Sequence, residues 1–259
     1  MCTVSVISLV DCVPGSRGGF RVVCNRDERH VRPPAAAPKW RNIGDTTARA
    51  IWPMDLEAGG TWIGAAEHGL CLCLLNLNLE PPVSLHGPGK LRSRGLLIPG
   101  LLAGRDLEEV EARLRAVDLR QVVPFRLIAI EPVAGGSGEP RVLEARWDHR
   151  QLELAWHGGM PVCFVSSGLG DSLVRPRLDL FEETVVAPGA TPDRQDEFHR
   201  HVWPERPEIS VLMSREDART VSVTTLEVRH ESGGTRVSME YEPVSTPHPS
   251  RTGGAPLVL

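Results

Sequence analysis

The sequence has no long apolar run. No stretch approaches the roughly 18 consecutive apolar residues that cross a bilayer, so no membrane span is expected. A leading basic cluster is missing too. No Lys or Arg precedes Arg17, and the opening "MCTVSVISLV" is followed by Asp11 and Pro14, so it does not read as a targeting segment. Net charge is only −4 over 259 residues, and no basic stripe occurs. That argues against a nucleic-acid partner held by phosphate neutralisation. Lysine is scarce beyond Lys39 and Lys90, which reads as a bias of base composition rather than of function. Six cysteines stand at 2, 12, 24, 71, 73 and 163. Cys71 and Cys73 share an apolar run without zinc-knuckle or redox spacing, and no C-x-x-C-H is present for covalent haem. Free, mostly buried thiols in a reducing cytoplasm are the expectation. "HGPGK" (86–90) fails as a phosphate loop because Leu91 follows Lys90. His199 and His201 fall on different faces of a helix, so a shared metal is not expected and both are read as surface residues. There is no internal repeat.

What is present suits a folded body. Hydrophobic residues make up 41% and charged residues 24%, enough for a sizeable core. Residues 3–10 and 20–24 are apolar and β-branched around "PGSRGG", a hairpin signal. "RPPAAAPKW" (32–40) reads as a Pro-rich surface loop. Two strands flank His68-Gly69, and a long loop covers 80–93. Helices are expected at 94–103 and 106–117, the second capped by Asp106. The period then becomes two, and 124–132, 141–148, 151–157 and 161–167 read as a four-strand meander. Helices near 173–185 and 192–202 and strands at 219–229 and 235–242 follow. Strands paired as hairpins and helices in adjacent pairs give an α+β expectation: two antiparallel sheets with helices outside. One domain is expected over 1–243, with a Pro/Gly-rich, frayed tail at 244–259.

Cys2 directly follows Met1. If Met1 is removed, Cys2 carries both a thiol and a free α-amine. An α-amine has a pKa near 7.7–8.0, within reach of neutrality. One residue then holds a nucleophile and its own base. Position alone favours a buried strand thiol. The run "CNRDE" (24–28) shifts that balance, because the hairpin brings residues 25–27 beside Cys2. A carboxylate there can hold the amine, and a guanidinium there favours thiolate.

"MC", "NRDE" at 25–28, "GGTWIG" at 59–64, Asn76 at a strand end and "SRG" at 93–95 occur in one order, and this set resembles the NRDE family. The resemblance covers about the first hundred residues, with weaker matches to about 230. It implies a branch of the N-terminal nucleophile hydrolases and their four-layer αββα sandwich. It further implies that Cys2 matches the nucleophile of choloylglycine and penicillin V acylases, and that Asp27 matches the aspartate holding the α-amine. Arg26 and Asp27 are adjacent here where the acylases use R-x-x-D, so they are expected on opposite faces of a strand. Asn76 matches an oxyanion donor. Arg219 resembles the arginine of the family's "GTRSST" stretch. Ser167, in "SSG" (166–168), replaces the asparagine of the usual "SNS". Losing one oxyanion donor costs about 10²–10³ in rate.

Two functions follow from the resemblance. One is an N-terminal cysteine hydrolase that cleaves a non-peptide acyl amide through a Cys2 thioester, without a cofactor. The other is a non-catalytic carrier or chaperone that holds haem or an acyl- or lipid-like ligand in the same pocket. The expected partner is therefore a small-molecule substrate or hydrophobic ligand.

Overall fold

The computed structural model describes residues 2–10, 18–44, 46–79, 91–133 and 138–245. The strand β1 (Cys2–Ser8) lies in a five-stranded sheet ordered β10-β1-β2-β11-β12. Its companions are β2 (Gly19–Arg29), β10 (Val162–Val165), β11 (Ala218–Glu231) and β12 (Gly234–Pro243). The second sheet runs in simple sequence order through seven strands. They are β3 (Ala36–Asn42), β4 (Arg49–Met54), β5 (Ile63–Ala66), β6 (Cys71–Asn76), β7 (Phe125–Glu131), β8 (Arg141–Trp147) and β9 (Leu152–His157). Every pairing between these strands is antiparallel.

Alternating side chains build the layers. In β6, Cys71, Cys73 and Leu75 pack between the sheets, while Leu72 and Leu74 pack outward. Both faces are buried, which explains the unbroken apolar run "CLCLLN". The outward face is covered by α1 (Leu97–Leu101) and α2 (Leu107–Ala116). Asp106 caps α2 by accepting from the Glu109 amide at 2.7 Å. On the five-stranded sheet, Val4, Val6, Val22 and Cys24 face inward. Ile7 faces out against α3 (Pro176–Phe181) and α4 (Pro192–His199). The result is a four-layer αββα sandwich, as the hairpin and helix pattern predicts.

Three local expectations need correction. The stretch 32–40 is not all loop: β3 forms an edge strand, and its register shifts between Ala36 and Lys39, where Pro38 stands. An edge bulge tolerates a residue that cannot donate to the ladder. The expected four-strand meander has three members, because β10 crosses to the other sheet and pairs with β1. His199 is not on the surface but wholly buried. The expected turn at 135–138 falls mostly outside the described residues, and the loop over 80–90 and the tail beyond 245 fall wholly outside them. Among the described residues no helix is long and apolar enough to cross a membrane.

Candidate active site

The run "CNRDE" is an alternating strand end, and each residue meets a different task. Cys2 and Arg26 are register partners, as are Val4 and Cys24, so all four share the inner face. Asn25 and Asp27 point to the helical side with Thr3 and Ser5. Asn25 donates through Nδ2 to the carbonyls of His199 and Val211, both at 2.9 Å, and so ties β2 to α4 and the segment after it. Its role is to hold the layer together.

Cys2 is almost fully buried at the foot of a cleft of about 610 Å³. Arg26, Trp62, Asn76 and Arg94 share its lining. The thiol is held below its ordinary pKa: contact with the Cys24 thiol and the charge of the amino terminus outweigh burial and the negative charge of Asp27 and Glu28. Cys24 moves the opposite way, well up, because the neighbouring Cys2 thiol and burial both disfavour its ionisation. The Arg26 guanidinium lies 4.2 Å from the centroid of the Trp62 ring, and its Nη2 is 2.5 Å from Asp55. Asp55 also accepts from the Glu57 and Ala58 amides at 3.0 Å. Burial raises its pKa, but the Ala58 amide, Arg26 and Arg32 outweigh that and hold it below the usual carboxylate range.

Asp27 is buried behind the strand end. Thr220 Oγ1 donates to it at 2.6 Å, and the Arg177 guanidinium stands 3.7 Å away. Burial pushes its carboxyl above the usual range, against the pull of Arg177, the amino terminus and Thr220. Arg177 is itself almost wholly buried and donates to Thr3 Oγ1 at 2.8 Å and to the Ile209 carbonyl at 2.9 Å. The Cys2 thiol thus faces the cleft, while its backbone nitrogen lies in the sheet plane. That nitrogen donates to Ser166 Oγ at 3.2 Å, and the Cys2 carbonyl accepts from the Ser166 amide at 3.0 Å.

The predicted residues do not all converge. Cys2, Arg26 and Asn76 line one cleft. Asp27 stands on the other face of β2, as its adjacency to Arg26 requires. Ser167 is buried but absent from the cleft lining; its hydroxyl accepts from the Leu169 amide at 3.2 Å in a turn. Arg219 sits opposite Glu28 in register and is also absent from that lining. Sequence reasoning missed Arg177, Asp55, Thr220 and Ser166. A buried arginine in "RPR" looks like a surface charge, and its partners are far along the chain. Among the described residues no group of three or more His, Cys, Asp or Glu is placed to hold a metal ion.

This arrangement is that of an N-terminal nucleophile hydrolase-like sandwich. The solved Caenorhabditis elegans N-acylethanolamine-hydrolyzing acid amidase ortholog shares the fold, with a TM-score of 0.55 at 13% identity over 87% of this chain and 92% of that one. A mutant conjugated bile acid hydrolase from Clostridium perfringens aligns at a TM-score of 0.45 and 9% identity, over 94% of this chain and 97% of that one. Penicillin V acylase from Agrobacterium tumefaciens aligns at 0.44 and 12%, over 92% of this chain and 85% of that one. Comparison with curated protein sequences finds no match. The profile for Transport and Golgi organisation 2 matches residues 6–158, more than half of the chain, and the protein belongs to that family. Cys2, Ser167 and Arg219 lie outside the matched segment.

Proposed function

We propose that the protein is an N-terminal cysteine hydrolase acting on an acyl amide. The observation that carries this reading is a cleft thiol, Cys2, with a lowered pKa at the end of a strand whose backbone nitrogen adjoins a buried serine hydroxyl. With Met1 removed, that nitrogen is an amine. The amine takes the thiol proton as sulfur attacks the carbonyl carbon, then passes it to the departing amine as the C–N bond breaks. Water cleaves the thioester by the same route, releasing the acid and restoring the thiol. Asp27 and Ser166 orient the amine, Arg177 offsets the Asp27 charge, and the Asn76 amide serves the oxyanion. Ser167, committed to its turn, has no part in this scheme, and Arg219 acts at most through β2. Arg26 shapes the cleft with Asp55. Free thiols at Cys2, Cys24, Cys71, Cys73 and Cys163 support a reducing compartment such as the cytoplasm. The carrier reading, with haem or an acyl ligand, draws on the same cleft, whose lining among the described residues holds one thiol and no histidine.

The test is intact mass of untagged protein, alone and after incubation with N-octanoylglycine. We expect loss of Met1 and a transient octanoyl adduct on Cys2, absent in Cys2→Ser. Asp27→Asn alone strands the buried Arg177 charge, which costs about 3–5 kcal/mol. Asp27→Asn/Arg177→Met removes both charges and should retain the fold while slowing alkylation of Cys2 severalfold. Retention of Met1, or alkylation unchanged in the double variant, would falsify the self-activated mechanism.

A further inference from the structure

Among the described residues, the cleft beside Cys2 holds more positive charge than its own acids neutralise. Arg26, Arg32, Arg92 and Arg94 line it, against Glu28, Asp55 and Glu57. Those acids are already engaged. Asp55 lies 2.5 Å from Arg26 and 2.9 Å from Arg32; Glu28 lies 3.7 Å from Arg26 and 3.9 Å from Arg32; Glu57 lies 3.9 Å from Arg32. Neither Arg92 nor Arg94 makes an ion pair among the described residues. Arg94 spends one nitrogen on the Pro124 carbonyl, at 2.6 Å, and its remaining donors belong to a group that lines the cleft. It is half-buried; burial lowers its pKa, Cys2 and Glu28 act against that from beyond ion-pair distance, and no paired carboxylate offsets its charge among the described residues.

The backbone that carries these two arginines is fixed on both sides. The Arg92 amide donates to the Gln121 carbonyl at 2.7 Å, and Arg92 bridges to Val122. The Thr61 amide donates to the Gly95 carbonyl at 3.0 Å. Gly60 and Gly95 are in such close contact that a Cβ on Gly60 would lie 2.4 Å from the Gly95 carbonyl carbon. This is why "GGTW" and "SRG" both need glycine: two backbones touch, and the arginines are held where a ligand meets them without further ordering. Trp62, Leu74, Leu91, Leu96 and Val123 give the same cleft an apolar wall.

We propose that Arg92 and Arg94 form an anion subsite beside Cys2, so that the amide acted on joins an apolar acyl group to a portion bearing a carboxylate or a phosphate. The assignment rests on the hydrolase reading for the word amide; the subsite itself rests on the arginines. A guanidinium fork suits either oxyanion through paired hydrogen bonds.

The test is calorimetric titration of the Cys2→Ser protein, which cannot form a thioester, with N-octanoylglycine, N-octanoyl-O-phosphoethanolamine and the uncharged N-octanoylethanolamine. We expect at least one anionic probe to bind about tenfold or more tightly than the neutral one, the tighter of the two identifying the oxyanion. Arg92→Gln and Arg94→Gln should each reduce that preference, and the double variant should abolish it while neutral binding persists. Arg92 is exposed, so its variant tests the proposal even if Arg94→Gln fails to fold. Equal binding of all three probes, no binding of any, or a preference indifferent to both arginines overturns the subsite. Acylation of wild-type Cys2, read by mass, tests the hydrolase separately. Arginine-dependent binding without acylation keeps the subsite and removes the hydrolase; acylation indifferent to probe charge does the reverse.

Discussion

Acid should destabilise this protein earlier than its carboxylates alone would allow, and His199 is the reason. The Asn25 amide nitrogen is committed to two carbonyls, so its Oδ1 must accept from His199 Nδ1–H at 2.8 Å. His199 Nε2 therefore accepts from the Ser5 hydroxyl at 2.7 Å. Ser5 in turn accepts from Gln195 Nε2 at 2.8 Å, and Gln195 Oε1 accepts from Arg21 at 2.9 Å. Every donor in this chain has one direction. A second proton on the imidazole would meet a hydroxyl already turned toward it. Burial, with Arg21, Arg200 and Arg177 nearby, holds the His199 pKa well below its ordinary value. The folded state then keeps His199 neutral while the unfolded chain protonates it near pH 6.5, so the unfolded state binds the extra proton and stability falls as pH falls. For one such group the loss is about 1.4 kcal/mol between about pH 7.5 and 5.5. At roughly 2–4 °C per kcal/mol this lowers Tm by about 3–5 °C. His68, also shifted down by burial, adds to the slope in the same sense. The assay is therefore a comparison: urea unfolding of wild type and His199→Gln at both pH values. His199→Gln should be less stable at pH 7.5 and lose about 1.4 kcal/mol less on acidification. Equal losses in the two proteins would refute the argument.

Cys24→Ala removes the neighbouring thiol that lowers the Cys2 pKa, so that pKa should rise and the pH profile of Cys2 alkylation should move to higher pH; an unmoved profile would deny Cys24 any part in the site. Gly60→Ala drives a Cβ into the Gly95 backbone and should cost about 1–3 kcal/mol and weaken anion binding at the Arg92–Arg94 rim. Gly100→Ala, in α1 with nothing within 4 Å of its new Cβ, should be neutral or stabilise by up to about 1 kcal/mol; thermal melts of both decide whether contact or propensity governs these glycines.

The layer order and most strands were legible in the chain itself. Period-two alternation and turn residues are local signals, and an α-helix cap such as Asp106 acts within three residues. The same alternation predicts that Arg26 and Asp27 part to opposite faces. It cannot say what each face meets. β10 alternates much like its predecessors, yet it leaves their sheet because its partner, β1, lies at the other end of the chain. Pro38 looks like a breaker until an edge position removes the need for its missing donor. Arg177 and His199 are polar by type and became interior only through partners 174 positions away: Thr3 for Arg177 and Asn25 for His199. Burying a polar group is favourable only when distant elements supply its hydrogen bonds. Residue order and the family resemblance pointed to Cys2 as the candidate nucleophile and to Asp27 beside its register partner. The buried cation behind that aspartate, the serine at the Cys2 nitrogen and the placing of Arg92 and Arg94 on the lining of the Cys2 cleft exist only once the sheets have closed on one another.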